Sequence, residues 1–208
     1  MTRRNSAARS RDKIPSDVSN LRIIAGVWRG RKIPFIPVEG LRPTPDRVRE
    51  TLFNWLQTSI PGANCLDLCC GSGALGFEAL SRGAAAVTFV DQSSIVVQQI
   101  KQNLQLLKAQ NGAVLHQDAL QWLESRLKDQ EARYDLVFLD PPFRKGLIKP
   151  MLQLLETKNL LNTGALVYVE AESEWIPDIA TTPWQLYREK VAGQVAYRLY
   201  LYSNPEVD

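Results

Sequence analysis

One histidine and three cysteines are all that the 208 residues offer of the side chains most used for metals and nucleophiles. Cys65, Cys69 and Cys70 are odd in number and crowd around one predicted strand. That spacing suits neither a disulfide framework nor a zinc site, and it reads as reduced core cysteines of a cytosolic protein. His116 falls in another predicted strand, where a structural role suits it better than that of a general base. No apolar run reaches the roughly 18 residues that would span a bilayer. The start, MTRRNSAARSRDK, lacks the apolar core of a secretory signal, and its basic, serine-containing character does not establish a transit peptide. Internal repeats are missing, and no low-complexity tract occurs beyond the first residues.

Charge is present but unevenly placed. Residues 1–32 hold nine Lys and Arg against two Asp, whereas the rest of the chain is mildly acidic. A basic arm on an acidic body can contact nucleic acid, and residues 1–20 alone read equally as a solvated, disordered tail.

Local patterns then divide the chain. Residues 22–36, RIIAGVWRGRKIPFI, carry short apolar pairs around Gly26 and Gly30 and predict a small β-hairpin. RPTPDRVRETLFNWL predicts a helix with Thr44 as N-cap, Pro45 at the first position, and Val48, Leu52 and Leu56 on one face. From residue 64, short apolar strands (CLDL, AVTFV, AVLH, YDLVFLD, ALVYVEA) alternate with helices, one of them from Asp118 to about Lys128. Such alternation implies an α/β fold with a mostly parallel, doubly wound sheet. The last run, WQLYREKVAGQVAYRLYLY, leaves no room for a helix and predicts an antiparallel C-terminal hairpin.

DLCCGSGALG follows the first sheet strand and opens a helix. Gly71, Gly73 and Gly76 match G-x-G-x-x-G, and Asp91 stands 20 residues after Gly71 at the end of the next strand. Taken alone, this is the dinucleotide fingerprint of an NAD-dependent oxidoreductase. The same geometry serves S-adenosylmethionine, which carries an ammonium and a sulfonium where NAD carries a pyrophosphate. Asp67, just before the glycines, suits the cationic ligand. Asp118 either caps the next helix or accepts from an adenine amino group. Three acids after three successive strands fit one adenosyl ligand.

FLDPPF closes the fourth strand with groups that cannot continue it. An exocyclic nucleobase amine is a poor nucleophile until its two N–H bonds are held. The Asp140 carboxylate and the Pro141 carbonyl can accept them, while Phe143 stacks on an unstacked base and the prolines keep the acceptors rigid.

GSGALG with Asp67, the RPTPDRVRETLFNWL helix, DPPF and VAGQVAYRLY together resemble the bacterial RsmD-type methyltransferases over about residues 21–202. The resemblance implies a Rossmann-like class I methyltransferase with a seven-stranded sheet whose final strand is reversed. It implies methyl transfer, direct and without a metal, from S-adenosylmethionine to a guanine N2 amine of small-subunit ribosomal RNA. It places the stretch from Arg42 to Arg49 near the methionine end of the cofactor, with Thr44 a contact. The cofactor set is then Thr44, Asp67, Gly71, Gly73, Asp91 and Asp118, and the RNA-facing set is Arg22, Arg29, Arg31, Lys32 and Arg144. Trp28 is as well explained by packing as by stacking. The implied organisation is a tail over 1–20, an RNA-contacting hairpin over 21–40 and the methyltransferase domain over 41–208. The partner would be the small subunit or its assembly intermediate, met by a cytoplasmic monomer without membrane association. Two departures stand out: Cys69-Cys70 replaces a common Phe-Ala, and Asp91 a frequent Glu. An adenine-N6 methyltransferase, an NAD-dependent oxidoreductase and a non-catalytic RNA-binding module are the competing readings.

Overall fold

A computed structural model describes residues 19–37, 44–128, 133–175 and 183–203. Arg42 and, apart from Ser19 and Asn20, the expected tail lie outside the described residues. Strands β1 (Ser19–Arg22) and β2 (Lys32–Phe35) form an antiparallel hairpin around a 3-10 turn at Gly26–Trp28. Helix α1 spans Asp46–Trp55. It starts later than expected. Pro45, in an extended conformation, occupies the capping position, and its carbonyl accepts from Val48 and Arg49. Thr44 is therefore one residue too early to cap, and its hydroxyl turns elsewhere.

The main sheet contains β3 (Asn64–Leu68), β4 (Ala86–Asp91), β5 (Gly112–His116), β6 (Tyr134–Leu139), β7 (Leu161–Glu172), β8 (Trp184–Ala192) and β9 (Val195–Tyr202). Their order is β5-β4-β3-β6-β7-β9-β8. The first five run parallel, and β9 lies antiparallel between β7 and β8. The C-terminal hairpin thus enters the sheet as its sequence grammar required.

Period-two alternation sorts the strand residues into two cores. Leu136, Phe138 and Tyr168 pack with α1, α2 (Ala74–Ser81) and α3 (Ser94–Leu107) on one face. Val137, Leu139, Val167 and Val169 pack with α4 (Ala119–Glu124) and α5 (Ile148–Thr157) on the other. Helix α4 stops short of Lys128, where the Ser125 hydroxyl takes the Trp122 carbonyl. Among the described residues no helix is long and apolar enough to cross a membrane. The strand order reverses between β3, whose neighbour is β4, and β6, which leads away to β7. A ligand crevice forms at the carboxyl ends of strands around such a point.

Candidate active site

The chain leaves β3 through a loop in which Cys69, Gly71 and Gly73 all take left-handed backbone angles (φ 58°, 51° and 72°). Two carboxylates hold this loop. Asp67 is buried, and its Oδ2 accepts from the Gly76 N–H at 2.9 Å. Asp91 Oδ2 accepts from the Gly71 N–H at 2.9 Å, and its Oδ1 from the Ser93 N–H at 2.8 Å. Gly76 has no alternative residue: a Cβ there would lie 2.2 Å from the Phe89 ring. Asp118 caps α4, accepting from the Gln121 N–H at 3.0 Å.

Cys69 reports the electrostatics of this corner. Burial, then Asp91, Asp140, Asp118 and Asp67, push its thiol up to about 12. Four carboxylates thus converge on one thiol, which stays protonated and is no nucleophile. Cys65 and Cys70 are free and buried, as core cysteines should be. No Lys or Arg among the described residues forms an ion pair with Asp67, Asp91, Asp118 or Asp140.

Beside this cradle β6 ends at Leu139, and the next residue is Asp140. Its Oδ2 accepts from the Thr44 hydroxyl at 3.3 Å, the contact that takes Thr44 away from helix capping. Burial raises the Asp140 carboxyl to about 6, with the Thr44 hydrogen bond pulling the other way. Pro141 is buried, whereas Phe143 is 40% exposed and presents an open ring at the cleft. The backbone then turns through Arg144 in a left-handed conformation. Its N–H donates to the Glu172 carboxylate, and its guanidinium lies 3.7 Å from Glu174.

A further acid, Glu170 on β7, lies next to this corner and escaped the sequence reading. The signal was available: in VYVEAE it stands two residues after Tyr168, on the same strand face, inside an otherwise apolar run. Removing the Thr44 hydroxyl has a calculable consequence at Asp140. In Thr44→Val the carboxylate loses its donor, so its pKa rises further. The acidic limb of any kcat/KM profile that needs ionised Asp140 then moves to higher pH than the wild type's limb near 6. A pH–rate series on both proteins checks this, and coincident limbs would refute it.

Of the residues expected to meet RNA, Arg22, Arg29, Arg31 and Lys32 are exposed on the hairpin, and Arg144 is exposed in the turn after β6. Arg22 stands directly opposite Lys32. Like charges so paired repel, which is tolerable where a polyanion approaches. Arg31 reaches the Leu106 carbonyl at 3.3 Å, and Trp28 packs partly buried against the core. His116 lies in β5, its Nε2 2.9 Å from the Gln92 carbonyl oxygen and away from DPPF.

A cofactor at this switch point must tolerate several unneutralised carboxylates. A pyrophosphate cannot, and the net cationic donor can. The fold and its anionic, glycine-lined crevice thus define a Rossmann-like methyltransferase that uses S-adenosylmethionine. Within that class the chain belongs to the RsmD family, whose model, described as "Conserved hypothetical protein 95", matches residues 21–201. It is 50% identical over 186 residues to "Ribosomal RNA small subunit methyltransferase D" of Escherichia coli (strain K12), covering 89% of this chain and 91% of that protein. The Haemophilus influenzae protein of the same description is 48% identical over 188 residues, covering 89% and 96%. The solved structure of Escherichia coli yhhF superposes with a TM-score of 0.80 at 51% identity, covering 89% of this chain and 99% of that one.

Proposed function

We propose that this methyltransferase modifies the exocyclic N2 amine of a guanine in small-subunit ribosomal RNA. The observation that carries the proposal is the Asp140-Pro141 corner, fixed by Thr44 and set beside the carboxylate cradle. Asp67, Gly71, Gly73, Asp91 and Asp118 would hold the cofactor, with Thr44 tying it to the catalytic corner. When bound, S-adenosylmethionine supplies a methyl group activated by its sulfonium. Asp140 accepts one N–H of the amine and the Pro141 carbonyl the other. This pulls the nitrogen out of conjugation with the ring and frees its lone pair. Phe143 stacks on the base. Asp140, or water, takes the proton that the nitrogen releases. Ionised Asp140 is the competent form, so activity falls as pH drops through about 6.

The guanine assignment rests on chain-wide similarity to proteins named for small-subunit rRNA methylation, because a D-P-P-F corner suits adenine N6 equally well. Arg22, Arg29, Arg31 and Lys32 on the hairpin, with Arg144 beside the pocket, give the RNA phosphates a cationic face. The same reading makes the protein a cytoplasmic monomer that meets its RNA within the small subunit or an assembly intermediate.

The deciding experiment is transfer from labelled S-adenosylmethionine to unmodified small subunits, with the product nucleoside identified by mass spectrometry. N2-methylguanosine is expected. N6-methyladenosine would retain the chemistry and overturn the base, and no transfer despite intact cofactor binding would overturn the substrate.

A further inference from the structure

Glu170 is a buried carboxylate with one hydrogen-bond partner. The Tyr168 hydroxyl donates to its Oε2 at 3.0 Å, and among the described residues no Lys or Arg pairs with it. Leu139 pairs with Val169 in the parallel β6–β7 ladder, so the next residue on each strand, Asp140 and Glu170, sits at the same level. Both continue the strand face of Phe138 and Tyr168. Across β9 the register sets Tyr197 opposite Glu170. The two acids therefore stand side by side on adjacent strands, about 5 Å apart by sheet spacing. Burial, then the charge of Asp140, raise Glu170 to about 8, while the Tyr168 hydrogen bond opposes the rise. The other ionisable groups in reach are Tyr168 on the same strand, Tyr197 on β9, and Arg47 of α1 acting on Tyr197.

Folding gains nothing from two adjacent buried carboxyls without a cation, so their placement side by side points to a ligand that donates to both. Direction decides which ligand. On one side of β6 lies β3 with the glycine loop, the cofactor side. Glu170 lies on the other, the side left for the base.

We propose that Glu170 is a specificity-determining residue of the base pocket, accepting the N1–H of the target guanine while Asp140 accepts from its N2 amine. Guanine presents N1–H and N2–H as adjacent donors, matching two adjacent acceptors. Above about pH 8, where Glu170 is ionised, adenine, which offers an acceptor, N1, beside its N6 amine, meets the Glu170 oxygen lone pair against lone pair. A carboxylate on N1–H also feeds electron density into the ring and so makes the neighbouring amine a better nucleophile. The inference rests on the guanine-N2 reading and supplies what D-P-P-F alone lacks, a reason to prefer guanine.

The test, run above about pH 8 so that Glu170 is ionised, uses small subunits reconstituted with RNA carrying either guanine or 2-aminopurine at the methylated position. 2-Aminopurine keeps the amine and replaces N1–H with an acceptor. Wild-type protein should methylate the guanine substrate at least about 100-fold faster in kcat/KM, because the analogue leaves a buried polar group unpaired. Glu170→Gln should lose at least about 10-fold on guanine and narrow the preference to within about 10-fold, because the amide N–H can donate to the new acceptor. S-adenosylmethionine affinity should stay within about threefold, as befits a group on the base side. A wild type that treats the two substrates alike overturns the role of Glu170 without any variant. So does a variant whose two rates fall equally or not at all. A wild type that makes no N2-methylguanosine in the control instead refutes the guanine reading itself.

Discussion

Asp140→Ala should abolish measurable methyl transfer, a loss on the order of 10³-fold in kcat, while S-adenosylmethionine binds within a few-fold of wild type. The size follows from the role. Removing one preorganised group that acts on the reacting centre costs about 10²–10³-fold, and here the same carboxylate also receives a proton. Since the interaction strengthens as the amine loses conjugation, the loss should appear in kcat more than in KM. The variant should fold. Asp140 is a desolvated carboxyl that, among the described residues, is hydrogen-bonded by the Thr44 hydroxyl alone, so deleting it removes a charge that folding must desolvate. It also removes a repulsive neighbour of Glu170, whose carboxyl should then titrate lower. Single-turnover transfer together with calorimetric cofactor binding checks both parts. A rate within tenfold of wild type would remove Asp140 from the chemistry.

How far the sequence carried this site depends on the range of the contacts involved. The glycine loop and the D-P-P-F corner were legible because each is written in contiguous residues whose backbone needs are local: left-handed turns at Gly71 and Gly73, a stop at Pro141. The strand alternation made the parallel sheet legible for the same reason, and the runs flanking Gly193 announced the closing hairpin. Thr44 was misread as a cap because capping propensity is a local rule, whereas its actual partner, Asp140, is 96 residues away. Glu170 was passed over because its meaning depends on β7 register against β6. No single segment contains that register. Asp118 shows the reverse: its cap bond to Gln121 is as local as a cap can be, and its place beside Cys69 of the glycine loop is a matter of topology.

The largest stability effect should come from a residue that carries no chemistry. Glu78, on α2, is buried with its side chain fully enclosed and stands at the centre of a clamp that joins three separate elements. Its Oε2 accepts from the Ile24 N–H at 2.8 Å and its Oε1 from the Ala25 N–H at 2.9 Å, which fixes the hairpin. Arg82 Nε donates to Oε1 at 2.8 Å, and Arg49 of α1 approaches Oε2 at 3.5 Å. Arg49 is itself buried and reaches onward to the Arg22 carbonyl at 2.9 Å and to Asp46 at 2.6 Å. Glu78→Ala would leave two backbone N–H groups and a buried guanidinium without their acceptor. Breaking a buried charge pair in this way costs about 3–5 kcal/mol. For a chain of this length about 1 kcal/mol shifts the melting temperature by roughly 2–4 °C, so the midpoint should fall by about 10 °C. Glu78→Gln keeps an oxygen for one of the two N–H groups and should fall between. Because Ile24 and Ala25 anchor the strand that presents Arg22, the Ala variant should also bind RNA more weakly at unchanged cofactor affinity. Hydrogen exchange at Ile24, Ala25 and Trp28 separates the two routes. Faster exchange confined to these amides means that the hairpin detaches alone, and uniform acceleration means that the whole sheet loosens. Unaltered exchange with an unaltered melting point would show that the clamp holds nothing.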